Sequence, residues 1–293
     1  MLKGSLVAIV TPMFETNEID YASFDQLIEW HINQGTSGIV VVGTSGESPT
    51  VSVDEHSQLI ERAVNTVNKR IPVIAGTGAN STAESIELAS FAERVGADYS
   101  LSVVPYYNKP GQEGLYQHFR KIAESVSMPH IVYNVPGRTV ADLSNDTTLK
   151  LAEIDNVVGV KDATGNMARA VDLLRRRPDD FSVYSGDDAT FMAYMMLGAE
   201  GVISVTANVA PAIVNKICQA VQSSDFDGAV SLNNSIALLN EILFVEANPV
   251  PVKWALSEMK KIPSGIRLPL TQLSSEFHPK VVEALSAAGI KLS

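Results

Sequence analysis

Residues 72–104 read PVIAGTGANSTAESIELASFAERVGADYSLSVV, and this stretch contains one strand–helix–strand unit. A short apolar run at each end encloses a segment whose apolar residues recur at i, i+3, i+4 and i+7 from Leu88. Ser81 and Glu84 predict a capping box at the start of this helix, and Gly96 is typical of its end. Because the first run, PVIA, lacks polar alternation, it predicts a parallel strand that is covered on both faces.

The same unit repeats along the chain and predicts the fold class. Eight apolar runs typical of strands follow one another roughly 20 to 33 residues apart, at 6–10, 38–42, 72–75, 99–104, 130–133, 157–160, 182–184 and 201–204. Eight strand–helix units of this length predict an α/β protein with a (β/α)8 TIM barrel. An open doubly wound sheet is the alternative, but no Gly-x-Gly-x-x-Gly motif follows the first run.

The strand pattern stops at about residue 225. Three helical patterns follow, at 229–245, 251–260 and 278–288. We therefore predict a barrel domain over residues 1–224 and a small, all-helical C-terminal domain over residues 225–293. Because this extension is too short for a core of its own, we expect it to pack on the barrel or on another subunit.

The net charge argues against some classes of partner, and the cysteine content and apolar runs bear on where the protein is found. The 293 residues include 22 Lys and Arg against 33 Asp and Glu, a net charge of −11, which argues against nucleic acid and anionic membranes as partners. Cys218 is the one cysteine in the sequence, so no disulfide can form within the chain. Since no apolar run approaches membrane-span length and no signal-peptide pattern occurs, we predict a cytoplasmic protein.

The most informative candidate for chemistry is Lys161. Active sites of such barrels lie at the C-terminal ends of the strands, and Lys161 directly follows the apolar run 157–160. A desolvated amine loses its proton more readily and can then attack a carbonyl to form a Schiff base. The alternative is an ion pair, with Asp162 or across to a neighbouring strand, that only closes the barrel. Position alone leaves both interpretations open.

Residues that follow other strands are further candidates for the active site. Tyr133 can relay protons beside such an amine or can be an ordinary core aromatic. Thr44 and Ser45 lie in a glycine-flanked turn whose hydroxyl and N–H groups suit a small carboxylate, although such turns are common. Arg138 can bind a carboxylate through two hydrogen bonds or can simply be solvated.

Other classes of mechanism lack their motifs. The five histidines show no metal-ligand spacing and no His-Glu-x-x-His motif, and no Gly-x-Ser-x-Gly elbow of a serine hydrolase occurs. We therefore expect amine-based chemistry without a metal or a bound cofactor.

Several segments in order along the chain resemble the dihydrodipicolinate synthase family, and the resemblance covers nearly the whole sequence, including the helical extension. These segments are GTSGES at 43–48, YYNKP at 106–110, YNVPGR at 133–138, VKD at 160–162, SGDD at 185–188 and PVPVK at 249–253.

The resemblance implies a Schiff-base mechanism. Lys161 would condense with pyruvate, and the enamine would attack the aldehyde of L-aspartate 4-semialdehyde, giving 4-hydroxy-tetrahydrodipicolinate. This is the first committed step of diaminopimelate and lysine biosynthesis. Tyr133, Thr44 and Tyr107 would form a proton relay, with Tyr107 supplied by a neighbouring subunit of a homotetramer arranged as a dimer of dimers.

The same resemblance implies the substrate-binding residues, which are Ser45, Arg138, Gly186 and Ile203. Ser45 replaces the usual threonine of the family but keeps its hydroxyl. N-acetylneuraminate lyases and 2-keto-3-deoxy sugar-acid aldolases share the lysine and the tyrosine but usually lack Arg138, which favours the synthase over this alternative. A non-catalytic amino-acid sensor on the same scaffold would lack the nucleophile or a relay residue, and neither is missing.

Feedback inhibition by L-lysine is a further prediction from the resemblance. The residues that match the effector site of regulated members are Ser48, His56, Asn80, Glu84 and Tyr106. Pro49 and Val53 replace the alanine and histidine common in lysine-sensitive members, so the strength of inhibition stays open.

Overall fold

The computed structural model describes residues 2–292. Within them, parallel strands close into a barrel in which each strand pairs with the next and the eighth pairs with the first. The strands are β1 (Gly4–Ala8), β2 (Gly38–Val41), β3 (Val73–Gly76), β4 (Tyr99–Val103), β5 (His130–Asn134), β6 (Val157–Asp162), β7 (Ser182–Ser185) and β8 (Gly201–Ser204). The predicted (β/α)8 barrel is confirmed, and the open-sheet alternative is wrong.

Helices connect the strands on the outside of the barrel and form the extension after it. They are α1 (Tyr21–Asn33), α2 (Val53–Val67), α3 (Thr82–Val95), α4 (Gln112–Ser125), α5 (Pro136–Thr139), α6 (Asn145–Leu151), α7 (Met167–Arg176), α8 (Phe191–Met196), α9 (Pro211–Gln222), α10 (Phe226–Ser235), α11 (Ala237–Ile242), α12 (Val250–Glu258) and α13 (His278–Ala287). Of the helices between residues 2 and 292, none has the length and apolar character needed to cross a bilayer.

Capping residues set the starts of two helices near the barrel mouth. Ser52 and Glu55 form a complete capping box at α2, with bonds in both directions. At α3, Ser81 Oγ accepts from the Glu84 N–H at 3.4 Å. Within the described residues no return bond joins the Glu84 carboxylate to the Ser81 N–H, so the reciprocal half of that predicted box is wrong. The exposed Glu84 carboxylate is therefore available to other partners.

The extension packs on its own barrel. One hydrophobic cluster joins barrel residues such as Val7 to extension residues such as Leu239 and Val281. The predicted single helix over 229–245 is wrong, because the chain turns at the buried Ile236 between α10 and α11. The preceding Asn-Asn-Ser sequence has low helix propensity, which weakens the end of α10. The domain boundary at residue 224 stays a prediction.

Candidate active site

A cavity of about 440 Å³ opens at the C-terminal ends of the barrel strands. Its wall is built by the loops that follow β2 to β8 and by the segment before α12. The polar residues and glycine that line it include Thr44, Ser45, Ser48, Tyr106, Tyr133, Arg138, Lys161, Gly186, Asp187 and Asn248. Most residues predicted to act on the substrates are thus brought to one place by the barrel topology.

Lys161 lies inside β6, one residue before its end. Its register partners are Tyr133 on β5 and Tyr184 on β7. The residue is only 6% exposed, and its Nζ atom lies 4.1 Å from the centroid of the Tyr133 ring. Lys161 forms no salt bridge with any residue between 2 and 292. The alternative of an ion pair that only closes the barrel is therefore wrong.

The neighbouring carboxylate of Asp162 is used elsewhere. Its Oδ2 atom accepts a hydrogen bond from the Tyr194 hydroxyl at 2.9 Å and lies 3.9 Å from Arg169 Nε. Its Oδ1 atom accepts from the Thr164 N–H at 2.9 Å. Burial raises the pKa of Tyr194, which keeps its hydroxyl protonated as the donor. Asp162 therefore organises the loop after β6 and does not pair with the Lys161 amine.

The turn after β2 carries Thr44 and Ser45. Two backbone hydrogen bonds close the turn, from the Gly46 N–H to Gly43 O at 3.0 Å and from the Glu47 N–H to Thr44 O at 3.1 Å. Ser45 is buried, and its Oγ accepts from Asn248 Nδ2 at 3.0 Å. The turn thus presents hydroxyl groups to the cavity from a fixed backbone.

A buried ion pair ties this turn to the extension. Glu47 and Lys253 are both about 3% exposed, and their side chains contact each other directly. Glu47 Oε2 also accepts from the Arg267 N–H at 3.1 Å. Burial lowers the pKa of Lys253, and the Glu47 carboxylate opposes that shift. This pair was not predicted from the sequence, although a lysine within the apolar helix α12 is a detectable signal.

Arg138 lies on the short helix α5 after β5. Its Nη2 atom donates to the backbone oxygen of Asn248 at 3.1 Å. The Thr139 hydroxyl bonds to the backbone oxygens of Val135 and Ala141 and fixes the turn that carries the arginine. The exposed guanidinium lies at the edge of the cavity, where it can meet a substrate carboxylate.

Two of the residues predicted to act on the substrates do not line the cavity. Tyr107 is 90% exposed and has a positive φ of 72°. Ile203 is buried inside the barrel, in the same hydrophobic cluster as Tyr133. Among residues 2–292 no hydrogen bond joins Tyr133, Thr44 and Tyr107, so the predicted relay is not assembled within one chain.

The residues predicted to bind an effector lie beside the cavity. The pKa of Tyr106 is raised, mainly by burial and to a lesser extent by the nearby Glu84 carboxylate. The backbone of Asn80 acts in the opposite direction and lowers this pKa. Tyr106, Glu84 and Asn80 are therefore neighbours. Ser48 lines the cavity itself. The His56 ring is buried and its Nε2 bonds to Gly76 O at 2.7 Å, which gives this residue a structural contact.

Potential metal ligands are dispersed. Between residues 2 and 292, no three His, Cys, Asp or Glu side chains lie together in a way that could hold a metal ion. The expectation of chemistry without a metal or cofactor stays a prediction.

Comparison with known proteins identifies the family. Residues 1–288 match the sequence model described as the dihydrodipicolinate synthetase family. The chain belongs to the dihydrodipicolinate synthetase family. The resemblance found in the sequence motifs is thereby confirmed.

Members of the dihydrodipicolinate synthetase family match almost end to end. The chain is 58% identical over 290 residues to the 4-hydroxy-tetrahydrodipicolinate synthase of Herminiimonas arsenicoxydans, covering 99% of each chain. A crystal structure of the chloride-inhibited dihydrodipicolinate synthase from Acinetobacter baumannii, complexed with pyruvate, has 55% identity and a TM-score of 0.98, and the match covers 99% of this chain and 100% of that one. The lysine-bound enzyme of Cyanidioschyzon merolae has 36% identity and a TM-score of 0.96, covering 99% of both chains.

Proposed function

We propose that the chain condenses pyruvate with L-aspartate 4-semialdehyde to give 4-hydroxy-tetrahydrodipicolinate and water, the first committed step of diaminopimelate and lysine biosynthesis. The observation that carries this proposal is a buried Lys161 amine, without a counter-ion among the described residues, at a cavity edged by Arg138. The similar proteins named 4-hydroxy-tetrahydrodipicolinate synthase support this activity. No observation favours a sugar-acid aldolase or an N-acetylneuraminate lyase.

The first step forms an imine. The Lys161 nitrogen attacks C2 of pyruvate, and the resulting carbinolamine loses water. The Ser45 hydroxyl holds the pyruvate carboxylate. Tyr133, whose ring lies 4.1 Å from the amine, donates the proton that the departing hydroxyl needs.

The second step forms the carbon–carbon bond. Loss of a proton from C3 of the imine gives an enamine, whose C3 attacks the aldehyde carbon of the semialdehyde. The new alkoxide takes up a proton, which balances the one lost from C3. Arg138 binds the carboxylate of this second substrate through charge-assisted hydrogen bonds. The amino group of the semialdehyde then attacks C2, displaces Lys161 and closes the ring, so that one water is released in total.

The relay is completed by a second copy of the chain. Tyr107 is 90% exposed and does not line the cavity of its own subunit, which is the placement expected of a residue that serves a neighbour. We therefore propose a homotetramer built as a dimer of dimers, in which Tyr107 joins the Tyr133 and Thr44 of another subunit. A solved relative with 38% identity is a monomeric variant, and sedimentation velocity distinguishes a monomer from the proposed tetramer.

We also propose that L-lysine regulates the enzyme from the cluster of Tyr106, Glu84 and Asn80. The exposed Glu84 carboxylate suits the ammonium group of an amino acid. Ser48 and Tyr106 both reach the reactive cavity, so a ligand here would contact the same wall as the substrates. Cytoplasmic location remains part of the proposal, because a single buried cysteine suits a reducing compartment.

Borohydride reduction in the presence of pyruvate tests the mechanism. We expect covalent labelling of Lys161 alone, complete loss of the label in Lys161→Ala, and full labelling in the control Lys109→Ala. Labelling of another lysine would overturn the assignment. A coupled assay then compares L-aspartate 4-semialdehyde with N-acetylneuraminate and deoxy sugar acids, and turnover of the latter alone would contradict the proposed substrate.

A further inference from the structure

Asn248 contacts both of the groups that are assigned to substrate carboxylates. It precedes α12, is only 5% exposed and lines the cavity. Its side-chain Nδ2 donates to Ser45 Oγ at 3.0 Å, while its backbone oxygen accepts from Arg138 Nη2 at 3.1 Å. One residue thus links the turn after β2 to the arginine after β5 through two different atoms.

The bond from Asn248 determines what the Ser45 hydroxyl can do. A serine hydroxyl has one proton to donate and lone pairs that accept. Because Ser45 Oγ already accepts from the amide, and its O–H donates to no acceptor in the described part of the chain, its proton is available to a ligand in the cavity. That ligand must carry an acceptor at this point, as the carboxylate of a keto acid does.

The segment that carries Asn248 is held firmly against the turn. Five residues after Asn248, Lys253 pairs with Glu47, which itself lies two residues after Ser45. Arg267 adds a backbone bond to Glu47 and bonds of 2.6 Å to the Glu55 carboxylate. The backbone at Asn248 therefore cannot move far from the Ser45 turn without straining a buried ion pair.

The side chain of Asn248 uses its donor group but not its acceptor among the described residues. Its Oδ1 atom is buried and accepts no hydrogen bond from the residues that the structure describes. The one bond it does make is to the hydroxyl that faces the cavity.

We propose that Asn248 is a positioning residue, which directs the Ser45 hydroxyl proton to the carboxylate of the first substrate and holds the Arg138 guanidinium for the second. The inference rests on the proposed function, since it takes the roles of Ser45 and Arg138 from it. The two parts of this proposal can be tested separately. The side chain of Asn248 bonds to Ser45, whereas its backbone oxygen bonds to Arg138.

A double-mutant cycle between Asn248 and Ser45 tests the first half. We expect Asn248→Ala to raise the KM for pyruvate roughly tenfold, the effect of losing one hydrogen bond to a charged group, with kcat within about twofold of wild type. Ser45→Ala should give a similar increase, and the double variant should be no worse than Ser45→Ala. The KM for the semialdehyde should stay near wild type, because the backbone oxygen remains.

Asn248→Asp provides a second variant of the same shape. Its carboxylate accepts the Ser45 proton and places a negative charge beside the substrate carboxylate, so the KM for pyruvate should rise by on the order of a hundredfold. The matched control is Asn240→Ala, which removes another buried asparagine of the extension away from the cavity and should leave this KM unchanged.

The outcomes separate this inference from the proposed function. If borohydride and pyruvate fail to label the wild-type enzyme, the proposed function itself fails. If the wild type is labelled but Asn248→Ala and Asn248→Asp keep the wild-type KM for pyruvate, or if the effects of Asn248→Ala and Ser45→Ala multiply, the positioning role is overturned while the Schiff-base mechanism stands.

Discussion

Gly186 packs directly against the side-chain stem of Lys161. A Cβ atom at position 186 would lie 2.8 Å from Cε and 3.1 Å from Cγ of the lysine, and 2.7 Å from the Cβ of Ala163. These distances are below van der Waals contact, so no larger residue fits without moving the lysine. The backbone of the turn after β7 therefore fixes the path of the amine, and Gly186 acts on the substrate site through this contact.

We predict that Gly186→Ala displaces the amine. The added methyl group should destabilise the fold by about 1 to 3 kcal/mol, as is usual when a packed site is overfilled. It should also reduce the rate of pyruvate imine formation by on the order of a hundredfold, because the nucleophile moves from its position. Borohydride trapping measures the second effect. Gly137→Ala, at an exposed glycine with open space around it, is the control and should trap normally.

Arg138→Ala should separate the two substrates. The loss of charge-assisted bonds to the second carboxylate should lower kcat/KM for the semialdehyde by on the order of a hundredfold. Trapping of pyruvate alone should change by less than about twofold. Steady-state kinetics and borohydride trapping give the two numbers. Arg120→Ala, at an exposed pair with Glu124, should change neither. Equal loss of both steps would mean that Arg138 is structural.

Tyr107→Phe should lower turnover by on the order of a hundredfold without affecting stability, because an exposed hydroxyl that transfers protons is removed. Tyr116→Phe is the control. Mixing subunits tests whether the tyrosine comes from a neighbour. The Tyr107→Phe chain keeps Lys161, and the Lys161→Ala chain keeps Tyr107. In a mixed oligomer these two residues can meet in one complete site, so refolding the two variants together should restore activity. Absence of recovery in mixed oligomers, confirmed by sedimentation velocity, would contradict the shared site.

L-Lysine at millimolar concentration should inhibit the wild-type enzyme. Glu84→Gln removes the carboxylate proposed to meet the effector's ammonium group and should raise the inhibitory concentration about tenfold, the effect of one charge pair at a partly exposed site. Glu87→Gln, an exposed change one turn further along α3, should not alter it. No response of the wild type to lysine would remove the regulatory proposal and leave the catalytic one intact.

Acid should destabilise the fold through buried histidines. Burial lowers the pKa of His31 and of His130 to about 3, and that of His118 to about 4. The unfolded chain therefore takes up these protons first, near pH 6.5, and stability is lost as the pH falls from there towards the folded-state values. Between about pH 6.5 and its folded-state pKa, each such histidine lowers the free energy of unfolding by about 1.4 kcal/mol per pH unit.

Urea unfolding at several pH values between about 6 and 4 measures this loss. Replacing His130 with Asn keeps a partner for Ser100, whose hydroxyl contacts the ring at 2.6 Å. The dependence of the unfolding free energy on pH should become shallower by about 1.4 kcal/mol per pH unit. An unchanged slope would show that His130 is not a source of acid sensitivity.

The strand ends were the part of the site that the sequence predicted well. Consecutive residues alone show that an apolar run ends at a lysine. In a parallel barrel this places the lysine at the C-terminal end of a strand, where active sites lie. The run at 157–160 extends by two residues in the structure, so that Lys161 and Asp162 belong to β6. That extension places Lys161 in register with Tyr133.

Contacts between distant parts of the chain were missed. Asn248 and Ser45 are 203 positions apart, and Lys253 and Glu47 are 206 apart. Neither periodicity nor turn chemistry reports such contacts, because they depend on how the extension folds back over the barrel mouth. The break at Ile236 was missed for a related reason, since burial of that side chain is decided by the barrel surface beneath it.

The contacts made by residues 248–267 have a consequence for biosynthesis of the protein. All eight strands and the nucleophile leave the ribosome before the segment that orders the turn after β2 has been made. Domains tend to fold from the N-terminus during translation. A nascent chain can therefore close its barrel early, while the contacts that order Ser45 are completed only when translation is nearly finished.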